Sequence, residues 1–115
     1  AALATVTYPF RANTNEGSLL IGSDGAAIDV DEDAVREEDR ATAAWRAFSA
    51  AHPDAAPFAP ADFIGGTATD DGGQRLLFST PLKSCHACAD DGALLVAYTV
   101  DKAGIVRERQ LLTIK

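Results

Sequence analysis

The sequence predicts an α+β fold: residues 1–115 as a single domain, with an antiparallel sheet of about five to six strands and one main helix packed on one face. Three observations carry this. Only residues 41–51 repeat their apolar side chains at helical spacing. About six other short stretches alternate or run apolar between turn residues, mostly in hairpin order. No strand–helix–strand alternation occurs, which argues against a parallel sheet.

Residues 4–10 set Ala4, Val6, Tyr8 and Phe10 against Thr5 and Thr7, a strand broken at Pro9. A polar loop over residues 11–17 follows. Residues 19–23 and 26–30 flank Asp24-Gly25, a strong hairpin signal. Asp31 to Asp33 then offers a choice of N-caps, and the period changes. Ala41, Ala44, Trp45, Phe48 and Ala51 fall on one helical stripe, with Trp45 and Phe48 as core anchors. His52-Pro53 ends the helix, because a residue before proline is pushed out of the helical region. A histidine there complements the helix dipole.

Residues 53–60 carry three prolines and read as a stiff connection. Residues 63–67 suggest a short strand and residues 70–73 a turn. Gly65-Gly66 lacks the spacing of a phosphate loop. Residues 75–79 form a strand, residues 94–100 the next, and residues 101–104 turn it back into residues 105–114. That last strand holds Arg107, Glu108, Arg109 and Gln110 in its middle, so it belongs at an edge or overhangs the core.

A chain of 115 residues buries one core without staples. No apolar run approaches a membrane span, so the reading is a soluble protein without membrane insertion. The formal net charge of -7 argues against nucleic acid and anionic membranes and favours cationic partners. The acids concentrate over residues 29–39, read as a solvated helix start. The chain has no methionine and opens on small residues, the expectation for a mature exported form or a trimmed chain. The mature-form reading predicts a periplasmic or secreted protein.

The chemistry concentrates in residues 80–91, with both cysteines and one of the two histidines. Cys85 and Cys88 bracket His86 and Ala87, and Lys83 and Ser84 lead in. Three readings stay open. A structural disulfide between Cys85 and Cys88 closes so small a ring that it serves mainly to preorganise the loop, with His86 on display. Redox exchange would use the same pair, although Asp90 and Asp91 would raise a nearby thiolate's pKa. Metal binding would use Cys85, Cys88 and a histidine, half of a zinc site with the other half missing. No serine has a nucleophile-elbow setting and no two carboxylates mark an acid–base pair, so the expectation is a non-enzyme without cofactor or metal.

A strand ending in a cysteine-bounded loop that carries Lys83 and His86 resembles the Ivy-type periplasmic lysozyme inhibitors, whose loop reads C-K-P-H-x-C. The resemblance implies a disulfide-closed loop projecting from a sheet, its histidine entering the active-site cleft of a cationic lysozyme. Cys85, His86 and Cys88 match that motif. The ring here is two residues shorter, the Pro-His pair is absent, and Lys83 precedes the first cysteine. The resemblance covers about a tenth of the chain, and the partner-binding residues it suggests are Lys83, Ser84, His86 and Ala87. A different class of function would use the polar edge strand 105–114 for assembly. Partner identity and oligomeric state are not written in the sequence.

Overall fold

Turn chemistry organises the chain into hairpins. The structure, a computed structural model, describes residues 2–7, 16–31, 33–58, 60–85 and 87–114. Strands β1 (Ala2–Thr7), β2 (Glu16–Ile21) and β3 (Ala27–Asp29) form a three-stranded antiparallel sheet in that order. The β2–β3 turn closes through Gly25 N–H donating to the Gly22 carbonyl at 3.0 Å, with Gly25 at φ +85°. A side chain at that angle would be strained, so the Asp24-Gly25 pair specifies the hairpin. Glu16 and Gly17, expected in a loop, open β2, where they pair with Thr7 and Val6. The expected strand end at Tyr8, Pro9 and Phe10 lies outside the described residues.

The second sheet contains β4 (Ala56–Pro57), β5 (Asp62–Ala68), β6 (Gln74–Lys83), β7 (Gly92–Val100) and β8 (Val106–Ile114). All its pairings are antiparallel, in the order β4-β6-β7-β8, with β5 also on β6. The α+β class therefore holds, with the strands divided between two sheets. β8 lies at an edge, as its polar middle requires. Two boundaries shift. The proline-rich connection contains β4, and β6 runs to Lys83 where a loop was expected from Thr80. Each explains the other: Ala56 and Pro57 pair with Lys83 and Leu82, and Phe58 N–H donates to the Pro81 carbonyl at 3.0 Å.

The helical stretch is divided. A one-turn α1 (Glu37–Arg40) and a longer α2 (Ala43–Ala51) meet at Ala41–Thr42. The N-caps are Arg36 and Thr42, which corrects the expectation of a cap at Asp31 to Asp33. Those carboxylates are committed elsewhere. Asp31 Oδ1 accepts from Ala61 N–H at 2.7 Å, and Asp33 Oδ2 accepts from the Tyr98 hydroxyl at 2.5 Å. Glu32 lies outside the described residues. Thr42 Oγ1 accepts from Trp45 N–H at 3.2 Å and starts α2 afresh. The break shifts the stripe: Trp45 is buried and Phe48 half-buried, while Ala41, Ala44 and Ala51 are exposed. His52 leaves helical geometry at φ -135°, ψ 71°, as its proline neighbour dictates.

Both the small sheet and α2 cover one face of the larger sheet. Leu20 from the small sheet and Val30, just past β3, join Ala61, Phe78, Val96 and Tyr98 in one cluster. Trp45 from α2 and Ala34 join Leu82 and Leu94 in a second, nearer the β6–β7 loop. Inward side chains alternate along β6 and β7, which is the period-2 rule at work. Among the described residues no helix is long and apolar enough to cross a membrane.

Candidate functional site

Leu82 and Gly92 are the last paired residues of the β6–β7 hairpin, and Leu82 is fully buried. The loop above them is therefore anchored on a fully buried core residue. Asp91 N–H donates to the Leu82 carbonyl at 2.7 Å and closes the loop's base. Ser84 Oγ donates to Asp91 Oδ2 at 2.7 Å, and Lys83 Nζ lies 3.8 Å from Asp90 Oδ1. Cys85 and Cys88 form a disulfide with their Cα atoms 5.1 Å apart, and Cys88 N–H donates to the Cys85 carbonyl at 3.2 Å. The tip is a bonded turn inside a covalent ring.

The sequence-derived site residues take different places on this loop. Ala87 and Cys85 are exposed at the tip, Cys88 is half-buried, and Ser84 is exposed with its hydroxyl engaged by Asp91. Lys83 is the last residue of β6, half-buried and leaning on Asp90. His86 lies outside the described residues. From Lys83 to Asp91 the formal charge is -1, one lysine against two aspartates.

His52 is a neighbour that sequence spacing could not place. Its ring packs on Phe48, centroids 4.8 Å apart, and its Nδ1 stands 3.9 Å from Asp91 Oδ1. The C-terminus of α2 thus abuts the loop's anchoring residue. The signal was hidden because the two lie 39 positions apart in sequence.

The other polar cluster is internal. Arg109 on β8, its side chain 5 % exposed, donates from Nη1 to Asp39 Oδ1 at 3.0 Å and from Nη2 to Asp39 Oδ2 at 2.7 Å. Nη2 also donates to the Asp33 and Ala34 carbonyls, each at 3.0 Å. Its Nε, 3.5 Å from Asp33 Oδ2, has no hydrogen-bond partner among the described residues. Arg36 Nε donates to Asp33 Oδ1 at 2.5 Å, beside the Tyr98 hydroxyl. Burial pushes Asp39 up, but the hydrogen bonds from Arg109 and from Arg36 N–H outweigh it and hold the carboxyl below its ordinary range. Burial and the Asp33 carboxylate push Tyr98 well above a free tyrosine. Apart from Arg109 Nε these groups hydrogen-bond one another, and they hold α1 to the sheet, an arrangement suited to structure.

Two clefts among the described residues flank Arg36, one lined also by Ala27, Ile28, Asp29 and Asp33, the other by Ile28, Tyr98 and residues 106–109. Among the described residues no group of three or more histidine, cysteine, aspartate or glutamate side chains could hold a metal ion. Neither cysteine lies on a helix, the setting that usually activates a redox pair. Of the loop's described residues, Ser84, Cys85, Ala87, Ala89 and Asp90 are exposed. Comparison with protein-family models, curated proteins and solved structures finds no match.

Proposed function

We propose that this chain is an exported binding protein that presents the Cys85–Cys88 loop to a protein partner, a cationic enzyme of the lysozyme type. One observation carries the reading: the disulfide closes a ring at the end of a hairpin, with Cys85 and Ala87 exposed, and joins no distant elements. A four-residue ring removes little entropy from the unfolded chain, so its physical use is to fix the loop's shape before binding. The hydrogen bonds from Asp91 and Ser84 serve the same end. A disulfide persists in oxidising compartments, which supports export. The acidic chain and the acidic loop base suit a cationic partner.

His86, at the centre of the ring, is the proposed key contact. His86→Ala weakens binding to a lysozyme by at least about tenfold, or about 1.4 kcal/mol, with an unchanged denaturation midpoint. Titration calorimetry against a panel of lysozymes measures this. Equal affinity of variant and parent removes His86 from the interface, and no binding by the parent removes the partner class.

The exposure of Cys85 favours a second reading, thiol–disulfide exchange, since exposed bridges are the more reducible ones. Equilibration in thiol buffers separates the two. A reduction potential below about -300 mV marks a structural bridge, and one between about -270 and -120 mV an exchange pair.

A further inference from the structure

The five-stranded sheet guards its edges unequally. β4 is a two-residue strand containing Pro57. β8 carries Arg107 and Glu108 exposed and is approached by α2. These are the devices by which natural sheets prevent edge pairing. β5 has one charge, Asp62, at its first position, and no proline. Its register shifts between Phe63 and Gly65, with Gly65 at φ +141°. Phe63 and Ile64, consecutive in sequence, are 48 % and 53 % exposed. Beyond Asp62 the strand is uncharged and apolar and, among the described residues, pairs on one side only, with β6, so its other edge is a template for another strand.

We propose that β5 pairs antiparallel with β5 of a second copy of this chain, so that the larger sheets of the two copies become continuous. The strand is complementary to itself about Gly65. A dyad there sets Ile64 opposite Gly66 of the second copy, Phe63 opposite Thr67, and Asp62 opposite Ala68. The bulky side chain meets a glycine, the aromatic meets a β-branched residue, and no two like charges face each other. Two copies that each carry a formal charge of -7 repel, so they meet best where charge is absent, and Phe63–Ala68 is an uncharged run. The contact is isologous and closes at two copies. Seven residues per strand bury less than a standard interface, so the dimer is weak and forms at micromolar concentration or above. The dyad leaves the two Cys85–Cys88 loops pointing to opposite ends of the joined sheet. This assembly stands independently of what those loops bind.

Sedimentation velocity of the parent from about 1 µM to 1 mM tests it, with Ile64→Lys and the β8 variant Thr113→Lys beside it. The expected result is a monomer–dimer transition in the parent and in Thr113→Lys, with dimerisation at least tenfold weaker in Ile64→Lys. Amides of residues 62–68 in the parent gain protection from hydrogen exchange as concentration rises. Ile64→Thr, which keeps a β-branched side chain at an exposed position, replaces the lysine variant if that one fails to fold, and it too dimerises more weakly. A parent monomeric throughout overturns the proposal, as it would if β5 served a strand from some other protein. So does an Ile64 variant that dimerises as the parent does, or a dimer lost in Thr113→Lys alone.

Discussion

Arg109 spends four hydrogen bonds on Asp39 and on the carbonyls of Asp33 and Ala34, from within the interior. A buried pair of this kind adds little stability over a well-packed apolar pair, but removing one member strands the other. Arg109→Met therefore costs about 3–5 kcal/mol in denaturant unfolding at neutral pH. Its pH dependence identifies the cause. Asp39 has a depressed folded pKa, so its contribution is full above the unfolded value of about 3.9 and is lost as pH falls through the folded one. In Arg109→Met the buried carboxyl loses its guanidinium, its pKa rises, and protonation relieves it. The deficit against the parent thus shrinks as pH falls from about 6 to about 3. A deficit constant over that range would assign the loss to packing alone. Nothing local in the sequence marks Arg109 as internal: among Arg107, Glu108 and Gln110 it reads as one more edge charge, and its carboxylate lies 70 residues away.

At the scale of elements, the break between α1 and α2 shows a side-chain oxygen overriding periodicity. Ala41, Ala44, Trp45, Phe48 and Ala51 share helical spacing, yet Thr42 receives Trp45 N–H and itself donates to the Asp39 carbonyl at 2.7 Å. The chain turns there because Asp39 is held inward by Arg109. Thr42→Ala removes the cap and costs about 1 kcal/mol, read from the unfolding midpoint. A neutral result would mean that Trp45 packing alone positions α2. β4 illustrates the opposite error of sequence reading. Two residues around a proline carry no strand pattern, and only the end of β6 beside them makes them a strand.

For the whole molecule, the covered face of the larger sheet supplies the core, and the disulfide lies outside it. Phe78, Val96 and Tyr98 are joined by Leu20 from the small sheet and Val30 just past β3, with the Phe78 and Tyr98 rings edge-on at 5.6 Å. The double variant Cys85→Ser with Cys88→Ser therefore loses at most about 2 kcal/mol, the loop entropy of so small a ring. Circular dichroism stays that of the parent. A loss of about 4 kcal/mol or more would make the bridge part of the core and would undercut its reading as a device for presentation.

Local chemistry was enough to determine the antiparallel α+β class, the Asp24-Gly25 hairpin, the end of the helix at His52-Pro53, β8 as an edge strand and the cysteine loop as the chemically dense spot. Each rests on neighbours within a few residues, where propensity, turn geometry and period act directly. Tertiary structure alone decided that the strands form two sheets, that Asp33 and Asp39 turn inward to Arg109, that Ser84 and Lys83 are tethered to Asp91 and Asp90, and that His52 stands beside the loop. Those outcomes depend on which buried polar group finds which partner across tens of residues. The cost of leaving such a group unpaired is set by burial, which periodicity does not contain.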